Sequence, residues 1–303
     1  MAHPQIATFA RLANGSAKAI RSIGGQNSLI NRSIHDMGYD PVRDEIYVKP
    51  SSSNAILVFK GTSDGDTPPI RKIMGPKTQA MPVGESLGRL TLDVVNREII
   101  VPQGRKILVY PQLADGDVEP IRILEAPEMQ ASATAVDPVH NLLIVSGRSP
   151  DWGTNQDRVG VADLILNGTA GRRRALENGS IGQILIFDRT ASGAAKPLRI
   201  IRGSKTLLST PQTIMTTYPP RGWILGAVEG SDYGETAEFS ENTFVGVWSI
   251  YDNGDVAPRW TIGGPRGVLR QARAVALDVK NKEVIVSDKQ LNGIVTFSFP
   301  EIF

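Results

Sequence analysis

Four polar side chains in this 303-residue sequence have types and spacings that suit metal or anion binding: His35, Asp36, Arg89 and Arg273. Each stands near the start of a strand-like segment that recurs along the chain, where other copies hold serine or threonine. If these segments converge on a central channel, the four side chains meet at the mouth of that channel, where they could ligate a metal or position an anion. One histidine is too few for a typical zinc site, and two guanidinium groups favour an anion. The alternative is a polar lining for a water-filled channel.

A second group of chemistry-bearing residues lies in two stretches that interrupt the recurring pattern, 149–181 and 229–243. The first stretch includes a basic run, and the second is mainly acidic. We predict that residues of the two stretches form a binding rim. Its residues are Trp152, Asp157, Arg158, Arg172, Arg173, Asp232, Tyr233 and Glu235. Trp152 and Tyr233 could anchor a partner protein or a small ligand, because aromatic side chains are enriched in binding hot spots. Salt bridges between the two stretches are the alternative.

The composition excludes several other classes of chemistry. The sequence has no cysteine, which excludes disulfides, thiolate nucleophiles and cysteine-bound metals. It has no catalytic-triad signature, phosphate-binding glycine loop or His-Glu metalloprotease motif. The formal charge of +2 predicts no strong attraction to nucleic acid, and no apolar run is long enough for membrane insertion. The first residues lack the apolar core of a signal peptide, and we expect a monomer.

A repeat of about fifty residues organises the chain. Each copy has a glycine that follows Asn, Asp or Ser, with an aromatic residue on one side and an arginine or tryptophan on the other. The glycines are Gly15, Gly65, Gly116, Gly193 and Gly254; the aromatics are Phe9, Phe59, Tyr110, Phe187 and Trp248; the residues after the glycines are Arg21, Arg71, Arg122, Arg199 and Trp260. Such glycine pairs favour tight turns with positive φ, so each copy predicts a hairpin.

The hairpins are the outer halves of four-stranded units. In the last four copies a proline opens the second arm, which is tolerated on an edge strand because proline has no N–H to donate. Two further strand patterns precede each hairpin. Four-stranded repeats of this length are typical of β-propeller blades. We therefore predict an all-β fold: one β-propeller of antiparallel four-stranded blades over residues 1–303, with both insertions on one face.

The ends of the chain leave the number of blades open. The C-terminal segment supplies an inner, a second and a third strand, with Phe297 in the aromatic register, and the N-terminal segment begins with a third and an outer strand. If the N-terminal outer strand pairs with the C-terminal sheet, five blades close and sheet edges are removed. The alternative is six blades, with further strands upstream. We favour five for the chain as given.

The segment "ILVYPQLADGDVEPIRILEAP" resembles the NHL-like repeats of bacterial extracytoplasmic propellers, in which an Ala-x-Gly-x-x-x-Pro turn follows the aromatic strand. The resemblance covers nearly all of the chain outside the insertions and implies an extracytoplasmic or secreted protein. Relatives of this architecture include lactone hydrolases, a peptide-amidating lyase and partner-binding modules. The enzymes would imply a divalent metal in the central funnel. No complete ligand set maps onto this sequence, so we assign no metal ligand.

The polar residues that recur in most copies are predicted to be scaffold. The repeated arginines are expected to contact facing aromatics, and a set of strand-ending aspartates is expected to bind backbone amides of the following turn. These aspartates are Asp40, Asp93, Asp137 and Asp278. We therefore predict a propeller that binds a protein or small molecule on the face carrying the insertions. The alternative is a metal- or anion-dependent, lactonase-like hydrolase or lyase that uses His35, Asp36, Arg89 and Arg273.

Overall fold

The Asn-Gly, Asp-Gly and Ser-Gly pairs form the predicted hairpin turns. In a computed structural model of the chain, the five turn glycines have φ between 59° and 82°, the left-handed region in which glycine has no steric penalty. The structure describes residues 4–31, 34–50, 53–80, 89–126, 129–149, 182–210, 213–229, 243–264 and 266–303, with the backbone alone for His35 and Asp36.

The described residues form 22 strands. In chain order they are β1 Ile6–Thr8, β2 Arg21–Ile23, β3 Ile34–Asp40, β4 Glu45–Pro50, β5 Ala55–Lys60, β6 Arg71–Met74, β7 Thr91–Asp93, β8 Glu98–Gln103, β9 Lys106–Pro111, β10 Arg122–Glu125, β11 Ala131–Asp137, β12 Leu142–Arg148, β13 Gly182–Asp188, β14 Gly193–Ala194, β15 Arg199–Ile201, β16 Ile214–Tyr218, β17 Trp223–Val228, β18 Phe244–Ser249, β19 Trp260–Gly263, β20 Ala272–Asp278, β21 Glu283–Asp288 and β22 Gly293–Ser298. Short 3₁₀ helices cover Pro76–Thr78, Ser204–Thr206, Pro219–Arg221 and Pro300–Ile302. None of the helices in the described ranges is long and apolar enough to cross a membrane.

Apart from β1 and β2, which form a two-stranded sheet, these strands form five small antiparallel sheets, and the predicted fold, a five-bladed β-propeller, is confirmed. Blade 1 is β3-β4-β5-β6, blade 2 is β7-β8-β9-β10, blade 3 is β11-β12-β13-β15, blade 4 is β16-β17-β18-β19 and blade 5 is β20-β21-β22. In blades 1 to 4 the chain runs from the inner strand to the outer strand. The short strand β14 adds to β10 in parallel.

The chain divides into two compact units, Met1–Ile123 and Leu124–Phe303. In the first unit, apolar side chains of blades 1 and 2 pack together around Tyr47, Ile73 and Tyr110. In the second unit, one cluster lies between blades 3 and 4 and another between blades 4 and 5. Within each unit, the sheet faces that adjoin one another are therefore buried.

The N-terminal hairpin, β1 and β2, has both edges of β2 engaged within the first unit. Ile6 pairs with Ile23 on one edge, and Ile23 bridges Gly65 in parallel on the other. The predicted closing pair between β2 and the C-terminal sheet would have to displace one of these partners. It is not among the pairings of the described strands, and it stays a prediction.

The strand-ending aspartates bind the turns that follow them, as predicted. The Oδ1 atom of Asp40 accepts hydrogen bonds from the backbone amides of Val42 and Arg43, at 2.8 and 3.2 Å. Asp137 does the same for Val139 and His140. Because these carboxylates satisfy turn amides, they are scaffold in the blades that have them.

Aspartate side chains also bind backbone amides between successive blades, at the outer edges of the blades. Asp117 follows the hairpin glycine of blade 2, and its Oδ1 accepts a hydrogen bond from the amide of Lys77 at 2.8 Å, next to the outer strand of blade 1. Asp66 and Asp255 bind the amides of Asn27 and Lys205 in the same way. These contacts fix how each hairpin sits on the preceding outer strand.

Candidate functional site

The structure describes two of the four predicted funnel residues with their side chains. His35 and Asp36 lie in β3, but their side chains fall outside the description. Arg89 lies two residues before β7 and is buried, and Arg273 lies in the inner strand β20. Arg89 and Arg273 belong to different compact units, so their predicted meeting at one mouth stays a prediction.

Arg273 forms an ion pair at the base of the second insertion. Its Nη1 atom contacts Oε2 of Glu229, and the side-chain amide of Gln271 donates to the other oxygen of that carboxylate at 3.0 Å. Glu229 is only 1% exposed. A buried carboxylate needs such partners, because an unpaired charge would lose its hydration without compensation. The ion pair therefore links the end of blade 4 to the inner strand of blade 5.

The strand that returns from the second insertion is fixed to the same place. Thr243 is fully buried just before β18. Its hydroxyl donates to the carbonyl of Val228 at 3.1 Å and accepts from the amide of Ala272 at 2.8 Å. Both ends of the insertion are therefore bonded to neighbouring strands.

The first insertion has a polar base of the same kind. It leaves after β12 and returns at β13, where the side-chain amide of Gln183 donates to the carbonyl of Arg148 at 2.9 Å. Nearby, the hydroxyl of Ser146 donates to the carbonyl of Thr213 at 2.6 Å, which joins blade 3 to the inner strand of blade 4. Gln183 and Ser146 are each 1% exposed. Buried polar groups that are fully bonded hold a backbone in one arrangement.

Lys49 is a functional candidate that the sequence interpretation missed. It lies near the end of β4 in blade 1, at the strand position that Ser146 holds in blade 3, and is 4% exposed. Burial lowers the pKa of its ammonium group to about 8, because the charged form is poorly solvated there. A lysine directly after the strand-forming residues "IYV" was the available signal. An amine of this kind can hold an anion or, when neutral, act as a nucleophile.

The repeated arginines are scaffold, as predicted, but the partner in two blades is a carboxylate. Arg71 binds both oxygens of Glu45, at 3.1 and 2.6 Å, and also donates to the hydroxyl of Tyr47. Arg122 binds Glu98 through two bonds of 2.7 and 2.8 Å. Each pair spans the sheet from the second strand to the outer strand.

These pairs shift the pKa of the groups involved. The Arg71 guanidinium, opposed by burial and assisted by Tyr47 and Lys60, lowers the pKa of Glu45 to about 2. Burial and the Glu45 carboxylate raise the pKa of Tyr47 to about 12. The shifts arise within the scaffold and do not mark a catalytic pair.

The rim residues named from the sequence, Trp152, Asp157, Arg158, Arg172, Arg173, Asp232, Tyr233 and Glu235, lie outside the described residues. Their grouping on one face stays a prediction. Within the described ranges, no three His, Asp or Glu side chains cluster in a way that could hold a metal ion.

Comparison with known proteins does not narrow the function. No family model matches the chain, and no curated protein matches it.

Proposed function

We propose that this propeller binds a protein or small-molecule partner on the face where second strands connect to third strands. The observation that carries the proposal is the set of buried, hydrogen-bonded polar side chains at the points where each insertion leaves and rejoins its blade. Glu229, Arg273 and Thr243 are bonded beneath the second insertion, and Gln183 lies beneath the first. A binding loop needs a rigid support, because affinity falls when the support moves. Trp152 and Tyr233 are the proposed anchors.

We further propose that the chain belongs with the NHL-like propellers of extracytoplasmic proteins. The support is the recurring aromatic, glycine, proline and arginine register. Each blade of such an array can vary its loops while the turn residues maintain the sheet. Binding partners would then be met outside the cytoplasm.

The test replaces residues 150–180 and 230–242 by short Gly-Ser linkers, separately and together. The full chain and the variants are screened against a displayed peptide library and a glycan array, with thermal unfolding as the check that the blades remain folded. The proposal expects ligands that bind the full chain and are lost when one insertion is removed. Ligands that all survive both deletions, or a full chain that selects none, would contradict it.

A second candidate is an anion- or metal-dependent hydrolase or lyase in the funnel. The observation in its favour is that the first unit buries two cationic side chains, Lys49 and Arg89, and a cationic side chain can hold an anionic group. Turnover of a fluorogenic lactone panel by the full chain, lost in Lys49→Met and in Arg89→Met, would support it. The Arg199→Met variant is the control, because it removes a cation from the outer strand β15.

A further inference from the structure

Two neighbouring hydroxyl groups of the second unit are buried and have no hydrogen-bond partner in the described part of the chain. They belong to Ser209 and Thr210, which are 4% and 3% exposed. A buried hydroxyl that forms no hydrogen bond has lost its hydration without compensation. Such groups are rare in folded proteins and commonly mark the site of an ion, a water or a ligand.

The two residues lie where the first insertion rejoins blade 3. The amide of Gly182, the first residue of β13, donates to the carbonyl of Leu208 at 2.9 Å. A Cβ atom on Gly182 would lie 2.3 Å from the carbonyl oxygen of Thr210, so a residue without a side chain is needed for this approach. Ser209 and Thr210 are therefore at the base of the first insertion, and all of these residues belong to the second unit.

The described segments around this place contain three cationic side chains and no Asp or Glu. The segments are residues 143–149, 182–187, 201–210 and 213–217, and the cations are Arg148, Arg202 and Lys205. A hydroxyl donates its strongest hydrogen bonds to ionised oxygen atoms, and a positively charged surrounding favours an anion. The group that suits both hydroxyls is therefore an oxyanion.

The corresponding place in blade 5 holds a carboxylate of the chain itself. The two residues after the buried Leu269 donate their amides to Oδ2 of Asp288, Arg270 at 2.7 Å and Gln271 at 2.9 Å. Asp288 is the last residue of the second strand β21 and is 2% exposed. The segment that leads into an inner strand can therefore hold a buried oxyanion through two adjacent residues.

Blade 4 differs from blade 5 in the residue that ends its second strand. Ser209 and Thr210 follow the buried Leu208 and so correspond to the two amide donors of blade 5. The second strand β17 ends in Val228, whose side chain has no oxygen. Blade 4 therefore brings two hydroxyl groups to this place, and its second strand supplies no carboxylate to accept from them.

We propose that Ser209 and Thr210 bind the oxyanion of a ligand, a phosphate or a carboxylate, through their hydroxyl groups. The oxyanion has the role in blade 4 that the Asp288 carboxylate has in blade 5. The proposal rests on the binding face proposed above and names the chemical group recognised at the base of the first insertion. Two hydroxyls without partners cost stability, and such an exchange of stability for function is common at binding sites.

Urea unfolding of the full chain, in buffer free of phosphate and carboxylates, tests the first part of the proposal. Ser209→Ala and Thr210→Val each remove one hydroxyl without a partner, and each should raise the urea midpoint. The control is Thr206→Val in the same segment. The buried hydroxyl of Thr206 donates to the carbonyl of Gly203 at 2.6 Å and accepts from the amide of Leu208 at 3.3 Å, so this variant should have a lower midpoint.

Thermal unfolding with added anions tests the second part. The full chain is titrated with inorganic phosphate and, separately, with acetate, against sodium chloride of equal ionic strength. At least one oxyanion should raise the melting temperature saturably, and the anion that does so distinguishes a phosphate ligand from a carboxylate ligand. The double variant Ser209→Ala/Thr210→Val should lose at least four fifths of the shift, whereas Thr206→Val should keep it.

Three results would overturn the proposal. A urea midpoint lowered by either hydroxyl variant would mean that the hydroxyl is already bonded in the free chain. Neither anion giving a saturable shift would mean that no oxyanion binds. A shift kept by the double variant would mean that the anion binds elsewhere. Failure of the binding face would appear separately, as ligands that survive both loop deletions, and it would leave these midpoints and shifts unchanged.

Discussion

Removing the arginine of blade 1 should destabilise the protein through the glutamate that it leaves behind. Arg71 holds both oxygens of Glu45, and Glu45 is 3% exposed. In the variant Arg71→Met the aliphatic stem is largely kept and the guanidinium is lost. The carboxylate then keeps only the hydroxyl of Tyr47 at 2.8 Å and the ammonium group of Lys60 at 3.3 Å.

The pKa of Glu45 gives the size of the effect. Its pKa lies at about 2, against an ordinary value of 4.5, and one pKa unit corresponds to about 1.4 kcal/mol. The ionised carboxylate therefore contributes about 3 kcal/mol to stability at pH 7. Arg71 is the largest cause of the shift, so we expect Arg71→Met to cost about 2–3 kcal/mol at pH 7.

The pH dependence follows from the direction of the shift. A lowered carboxyl pKa gives stability that is complete above the unfolded pKa, near 4.5, and is lost as the pH falls towards the folded pKa, near 2. At pH 3 the native contribution has fallen to about 1.4 kcal/mol. The difference between the native chain and Arg71→Met should shrink accordingly between pH 7 and pH 3.

Urea unfolding followed by tryptophan fluorescence measures this difference. The matched control is Arg199→Met, at the same register position in blade 3, where the arginine contacts the ring of Tyr251 and Leu142 takes the place of the glutamate. A cation–π contact of this kind is worth about 0.5–1 kcal/mol. If Arg71→Met costs no more than Arg199→Met, or if its cost is the same at pH 3 and pH 7, the ion-pair argument is refuted.

Three further predictions test other parts of the scaffold. Gly75→Ala should cost about 2 kcal/mol or more in urea unfolding, because φ is 139° and a Cβ atom would lie 2.4 Å from the Asp117 carboxyl carbon. The control Gly65→Ala, with φ of 67° and open space around the added Cβ atom, should cost only about 1–2 kcal/mol. Equal costs for the two variants would contradict the argument. Burial lowers the pKa of Lys49 to about 8. We therefore expect the free energy of unfolding of the native chain to rise by up to about 3 kcal/mol relative to that of Lys49→Met as the pH rises from 8 to 10.5. A constant difference between the two chains in urea titrations over this range would show that the ammonium group is not desolvated. The double variant Trp223→Glu/Trp260→Arg installs the Glu–Arg pair of blades 1 and 2 in blade 4. It should be more stable, by about 1 kcal/mol, than the sum of the costs of the two single variants predicts. Additive costs in thermal or urea unfolding would mean that the Glu–Arg pair forms only in the surroundings of blades 1 and 2.

The sequence predicted the blades well because the determinants of each blade are local. Turn glycines such as Gly116 must adopt positive φ, and strand-ending aspartates such as Asp137 bind amides only two or three residues away. Such signals recur in every copy and can be read from one copy at a time. The predicted pairing of β2 with the C-terminal sheet could not be read in this way, because the partners along the edges of β2 include residues far along the chain, such as Gly65.

The partners of the polar side chains were harder to predict, since they lie across strands. The sequence interpretation paired the repeated arginines with aromatics on the adjacent strand, whereas Arg122 reaches past that strand to Glu98. Glu229 and Arg273 are 44 positions apart in the chain, and nothing in their local sequence signals the ion pair. Lys49 carried a signal, a charged residue within a buried strand, but its lowered pKa depends on burial that only the packed sheet provides.

The register of the repeat shows how one scaffold can hold different side-chain pairs. The first residue of the second strand and the arginine position of the outer strand form a pair in three blades, as Glu with Arg in blades 1 and 2 and as Trp with Trp in blade 4, whereas in blade 3 Arg199 contacts Tyr251 and the first residue is Leu142. A carboxylate at the buried edge of a sheet without a cationic neighbour would leave a charge poorly solvated, and an aromatic pair gains its stability from ring packing instead. The first partner of such a pair therefore constrains the second.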